Sequence, residues 1–111
     1  MGSEEAGAAV ERALLRCAGP GAADQIALAQ VRLAWLEVIE AAGLAGGTFR
    51  SHVRRVRGGL AAVEASEPIL AQELSLRADA LVWAVNERMR GRPGATIRLV
   101  GMTVSVGRFG S

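Results

Sequence analysis

Chemistry in this chain has to start from arginine. All thirteen basic side chains are arginine and none is lysine. Four residues that can carry positive charge, His52, Arg54, Arg55 and Arg57, fall within one short stretch, with Arg50 just ahead of them. Arg88, Arg90, Arg92 and Arg98 form a second group further on. A guanidinium meets phosphate oxygens through paired N–H donors, so these eight arginines are the candidate nucleic-acid-binding set. Base composition of the genome explains the exclusive use of arginine more simply than selection for phosphate does. If the first group lies on a strand, regular alternation places Arg55 and Arg57 on the face opposite Arg54 and Val56.

Other chemistries find little to work with. One histidine and one cysteine, His52 and Cys17, do not make a zinc site without distant carboxylates. Cys17 sits on an apolar stripe, where a free thiol behaves as a small hydrophobe. A Walker phosphate loop requires lysine, so that class of ATPase is excluded. The sequence therefore predicts no catalytic residue, no metal, no cofactor and no small-molecule substrate. His52 reads as a residue at the base of a hairpin rather than a catalyst.

At 111 residues the chain has room for one domain with a modest core. No run approaches the eighteen or so apolar residues of a membrane span. The start, MGSEEAGAAVER, is acidic and small, the reverse of a basic signal peptide. A single cysteine excludes an intrachain disulfide and fits a reducing cytoplasm. Charge is uneven: residues 1–49 hold three Arg against six acids, whereas residues 50–111 hold ten Arg against five. Such a split suits one nucleic-acid-facing surface, and uneven solubilising charge explains it equally well.

The elements that must position the arginines follow from periodicity and turn residues. A first helix from about Glu4 to Cys17 aligns Val10, Ala13, Leu14 and Cys17, and Gly19-Pro20-Gly21 ends it. Residues 1–22 form this helical segment and its linker; residues 23–111 hold the rest of the domain. Asp24 is placed to cap a second helix whose face carries Leu28, Val31, Trp35, Val38, Ile39 and Ala42. Trp35 sits at the centre of that face and is a core anchor. A glycine-rich loop leads to the basic strand, and Gly58-Gly59 joins it to a second strand as a tight hairpin. Ser66 is expected to cap a third helix, with Glu67 and Pro68 in its first turn. The segment ATIRLVGMTVSV alternates as a last strand, bent at Gly101.

The third helix, about Pro68 to Arg90, carries two apolar stripes. Leu70, Ala71, Leu74, Ala78, Leu81, Val82, Val85 and Met89 make the broad core face. A narrower stripe of Ile69, Leu76, Ala80 and Trp83 needs a second neighbour. Either the first helix folds back onto it, or Trp83, Leu76 and Ile69 dock a partner.

The order helix, helix, strand, strand, helix, strand makes a small two-layer α+β domain with a three-stranded sheet. The V-x-x-A-L-L start, Trp35 followed by Val38-Ile39, and His52 before a basic strand are features of a known family. So are the Gly-Leu hairpin, S-x-P-x-L-A-Q-E-L, the helix end from Leu81 to Asn86, and I-R-L. On these residues, over roughly 8–101, the chain resembles the DciA family, bacterial proteins that assist loading of the replicative DNA helicase. Two positions depart from the family pattern: Leu70 stands where a tryptophan is usual, and Glu40 where a glycine is. The loop from Gly43 to Ser51 is also longer.

The resemblance implies a KH-like fold and a non-enzymatic protein that binds a DnaB-type helicase and, weakly and without sequence preference, single-stranded DNA. KH domains clamp nucleic-acid backbone with a GxxG loop between two helices. Gly91-Arg92-Pro93-Gly94 has that spelling, but a strand is expected directly after it, so no functional clamp is expected. The alternative is a KH-like RNA-binding module in ribosome or RNA metabolism. Only Phe49, Phe109 and two tryptophans could stack on bases, and that scarcity favours phosphate contact over base reading.

Overall fold

A computed structural model describes residues 21–107. It contains helix α1 (Ala22–Ala41), strands β1 (Ser51–Arg57) and β2 (Leu60–Ala65), helices α2 (Pro68–Leu76) and α3 (Ala78–Met89), and strand β3 (Gly101–Val106). The sheet order is β1-β2-β3; β1 pairs antiparallel with β2, and β2 pairs parallel with β3. This is an α+β domain with helices on one face of a three-stranded mixed sheet. The expected order holds from the second helix onward. The first expected helix, Glu4–Cys17, lies outside the described residues.

The predicted faces form the core. Val31, Trp35, Val38 and Ile39 of α1 are buried against Val53, Ala61 and Val63 of the sheet and against Leu70, Leu74, Leu81, Val85 and Met89. The Trp35 indole N–H donates to the Ser51 hydroxyl at 3.0 Å, so the ring's one polar atom is satisfied inside the core. Leu70, at the position where a tryptophan was expected from the resemblance, is fully buried.

Three local expectations are corrected. The segment from Pro68 to Arg90 is two helices, not one. The Arg77 amide still bonds the Glu73 carbonyl, and Leu81 bonds Arg77, yet the chain turns at Arg77 without proline or glycine. The two halves answer to different neighbours: α2 packs on β2 and β3, while α3 packs on α1 and β3. Ser66 does not cap α2, because Glu67 is the N-cap residue. Its hydroxyl instead accepts from the Arg50 amide at 2.9 Å and donates to the Thr48 carbonyl at 3.1 Å, tying the loop before β1 to the end of β2. Helix α1 begins at Ala22 after Gly21, which has positive φ, and Asp24 sits in its first turn without capping. There its charge still complements the helix dipole.

The last strand is shorter than its alternation suggests. Residues 95–100 run beside α3 without joining the sheet as strand. The Asn86 side chain accounts for this: its amide accepts from the Leu99 N–H at 2.8 Å and donates to the Leu99 carbonyl at 2.9 Å. Those groups are then unavailable to a ladder. Gly94, just ahead of that segment, lets the chain press on α1, since a Cβ there would collide with the Ile26 side chain.

Candidate nucleic-acid interface

The basic strand acquires its geometry from one extra residue. Val53 pairs with Val63 and Arg55 with Ala62, so Arg54 is an insertion in the ladder, a β-bulge. Before it, Val53 faces the core; after it, Val56 does so again. The alternation is thereby reset, and Arg55 and Arg57, opposite Ala62 and Leu60, share the open face of the sheet. The expectation that Arg54 opposes Arg55 and Arg57 across the sheet is corrected. Arg54 Nε reaches Glu64 Oε1 at 3.2 Å, and Glu64 pairs with His52 on that same face. An unbulged strand would have aimed two guanidinium groups into the core, at a cost no small domain tolerates.

Two devices hold this arrangement. Gly58 and Gly59 both take positive φ, as a two-residue hairpin turn of the type that matches strand twist requires. Arg32 on α1 donates from Nε to the Val53 carbonyl at 2.9 Å and from Nη2 to the Arg54 carbonyl at 2.8 Å. It therefore satisfies carbonyls beside the bulge that the ladder does not serve. Nothing local in the sequence marks a helix arginine such as Arg32 as the support of a strand about twenty residues on.

The eight candidate arginines do not form one patch. Arg55 and Arg57 line a cleft of about 550 Å³ at the hairpin end, together with Arg98, the two hairpin glycines and Asp24 from the first turn of α1. A shallower depression of about 180 Å³ adjoins it through Ile97 and Arg98 and includes Arg90. Arg55, Arg57 and Arg98 are exposed and have no acidic partner within salt-bridge distance among the described residues. Arg90 pairs with Glu87 one turn back on α3. Arg50 lies at the other end of β1, beside Phe49 and Leu36, roughly 23 Å from Arg57 at strand rise.

Arg88 and Arg92 stand apart from the rest. Both bond Glu37 Oε1, at 3.2 Å and 2.6 Å, and so bridge α1, α3 and the loop after α3. The hydrogen bond from Arg92, helped by Arg88, holds the Glu37 carboxyl below its ordinary value; desolvation pulls the other way without prevailing. Arg92 is the most enclosed of the eight, with a side chain only 25% exposed. Gly91-Arg92-Pro93-Gly94 thus follows a helix and carries an arginine committed to the protein's own carboxylate.

The candidate partner residues are bare among the described residues. Trp83 is 66% exposed, Leu76 74% and Ile69 62%. The turn at Arg77 places Ile69 and Leu76 on α2 and Trp83 on α3. Among the described residues no three His, Cys, Asp or Glu side chains gather where a metal ion could sit. No helix described is long and apolar enough to cross a membrane. No family model matches the chain, and no curated protein does.

Proposed function

We propose that this chain is a non-enzymatic adaptor of the DciA kind, acting in the cytoplasm, which binds a DnaB-type replicative helicase and helps it onto single-stranded DNA. The observation that carries the reading is the group Arg55, Arg57 and Arg98: three exposed arginines that line one cleft at the hairpin end and have no salt bridge among the described residues. Among the described residues no Phe, Tyr or Trp lines that cleft, so what they offer there is contact to phosphate. Contacts of this sort position a nucleic acid without reading its sequence.

The order of the described elements, α-β-β-α-α-β, suits a KH-like frame, and it also argues against a KH-type RNA reader. A backbone clamp between two helices would fall at Leu76-Arg77-Ala78, which contains no glycine. Trp83, Leu76 and Ile69 supply an apolar surface for the helicase. Without a nucleotide of its own, the protein acts only by binding one state of the helicase ring more tightly than another.

A loading assay tests this reading on DNA coated with single-strand-binding protein, using the helicase of the same organism. The proposal expects more helicase on DNA when the chain is added. No gain in loaded helicase refutes it and turns attention to RNA.

A further inference from the structure

The two edges of the sheet are treated differently. The β1 edge is disrupted by the Arg54 bulge, carries arginines, and has the carbonyls of Val53 and Arg54 occupied by Arg32. Bulges and charge are the ordinary means of preventing an edge from pairing with another chain. The β3 edge has neither. Gly101-Met102-Thr103-Val104-Ser105-Val106 contains no charge and no proline, and its pairing with β2 runs through six consecutive residues without a shift.

The phase of its hydrogen bonds decides what that edge can accept. In a parallel pair, alternate residues of the edge strand turn their N–H and C=O away from the sheet. The Gly107 N–H donates to the Ala65 carbonyl at 2.9 Å, so within the strand the odd-numbered residues bond β2. Met102, Val104 and Val106 are left facing outward. Two copies set antiparallel about Val104 match these groups completely: Val104 meets Val104, and Met102 meets Val106 in both directions. No arginine or carboxylate of one β3 faces a like charge on the other. The same symmetry applied to β1 would oppose arginines.

We infer that β3 is a self-association edge, and that two copies of this chain join there into one six-stranded sheet. In that arrangement Thr103 of one copy faces Ser105 of the other on the open face, and both sets of Arg54, Arg55 and Arg57 lie on the same side. The inference is independent of what those arginines bind.

The test uses the full chain in sedimentation equilibrium over a wide concentration range. A monomer–dimer equilibrium is expected. Thr103→Lys with Ser105→Lys sets lysine against lysine twice at the interface and should raise the dimer dissociation constant about tenfold. Thr103→Glu with Ser105→Lys sets glutamate against lysine and should restore it. Both positions are exposed, so circular dichroism should be unchanged. A protein monomeric at every concentration, as an edge reserved for another protein's strand would be, overturns the inference. So does a dimer that the lysine pair leaves intact or that the opposite charges fail to restore.

Discussion

Arg55 and Arg57 at the hairpin end of the sheet, and Arg88 and Arg92 beside Glu37 of α1, are the same residue type in similar local density, yet their surroundings are opposite. The first pair lines an open cleft and has no acidic partner within salt-bridge distance among the described residues. The second is spent on Glu37, locking α3 and the following loop to α1. Counting arginines along the chain treats the two groups as one basic surface. What separates them is a single glutamate on a helix fifty residues away and one inserted residue in a strand.

Charge reversal separates the two pairs most strongly. Arg55→Glu with Arg57→Glu should weaken single-stranded DNA binding at low salt on the order of tenfold to a hundredfold, with an unchanged melting temperature. Arg88→Glu with Arg92→Glu should do the reverse: a measurable fall in melting temperature as three carboxylates crowd together, and near-normal DNA binding. Fluorescence anisotropy and thermal unfolding on both variants measure the two effects. If Arg88 and Arg92 proved as important to DNA as Arg55 and Arg57, the division would be wrong.

Trp83 sharpens it from a third direction, because its surface carries no charge. Being exposed, Trp83→Ala should change stability by no more than about 0.5 kcal/mol and leave DNA affinity alone. Helicase affinity should fall by about 2 kcal/mol if the ring is a hot spot. A large loss of stability would mean instead that the ring is covered by another part of the chain.

The smallest effect is one of pH. The folded-state pKa of Glu37 lies below the ordinary 4.5, so its contribution to stability is present above that range and is lost as pH falls through the lowered value. Glu37→Gln should therefore be less stable than the parent near neutrality, and the difference should close as acidification carries the solution through the lowered Glu37 pKa. Parallel melting curves from neutral to acid pH check this; a gap that widens in acid would reverse the sign of the argument.

How much of this was legible in the sequence depended on whether the cause was local. The α1 face, the Gly58-Gly59 hairpin and the broad core face of residues 70–89 follow from periods of 3.6 and 2 and from glycine's freedom, and all three are present. The bulge has a signal in the spacing of Val53 and Val56: both face the core, and an odd spacing between two inward residues of one strand requires an insertion. The turn at Arg77 had none, since its hydrogen bonds nearly continue a helix and only the difference in packing partners bends it. The late start of β3 and the capture of Arg88 and Arg92 depend on Asn86 and Glu37, whose distances along the chain are 13 and more than 50 residues. No window of local sequence contains such pairings.

The proposed nucleic-acid interface uses Arg55, Arg57 and Arg98, not all eight arginines. The salt dependence of single-stranded DNA binding measures that number directly. Each phosphate contact contributes about 0.7 to the slope of log affinity against log salt. Contacts by Arg55, Arg57 and Arg98 give a slope of about −2, and Arg98→Ala should reduce its magnitude by about 0.7. A slope near −5 or steeper, or affinity that does not change with salt, would rule out an interface of these three arginines.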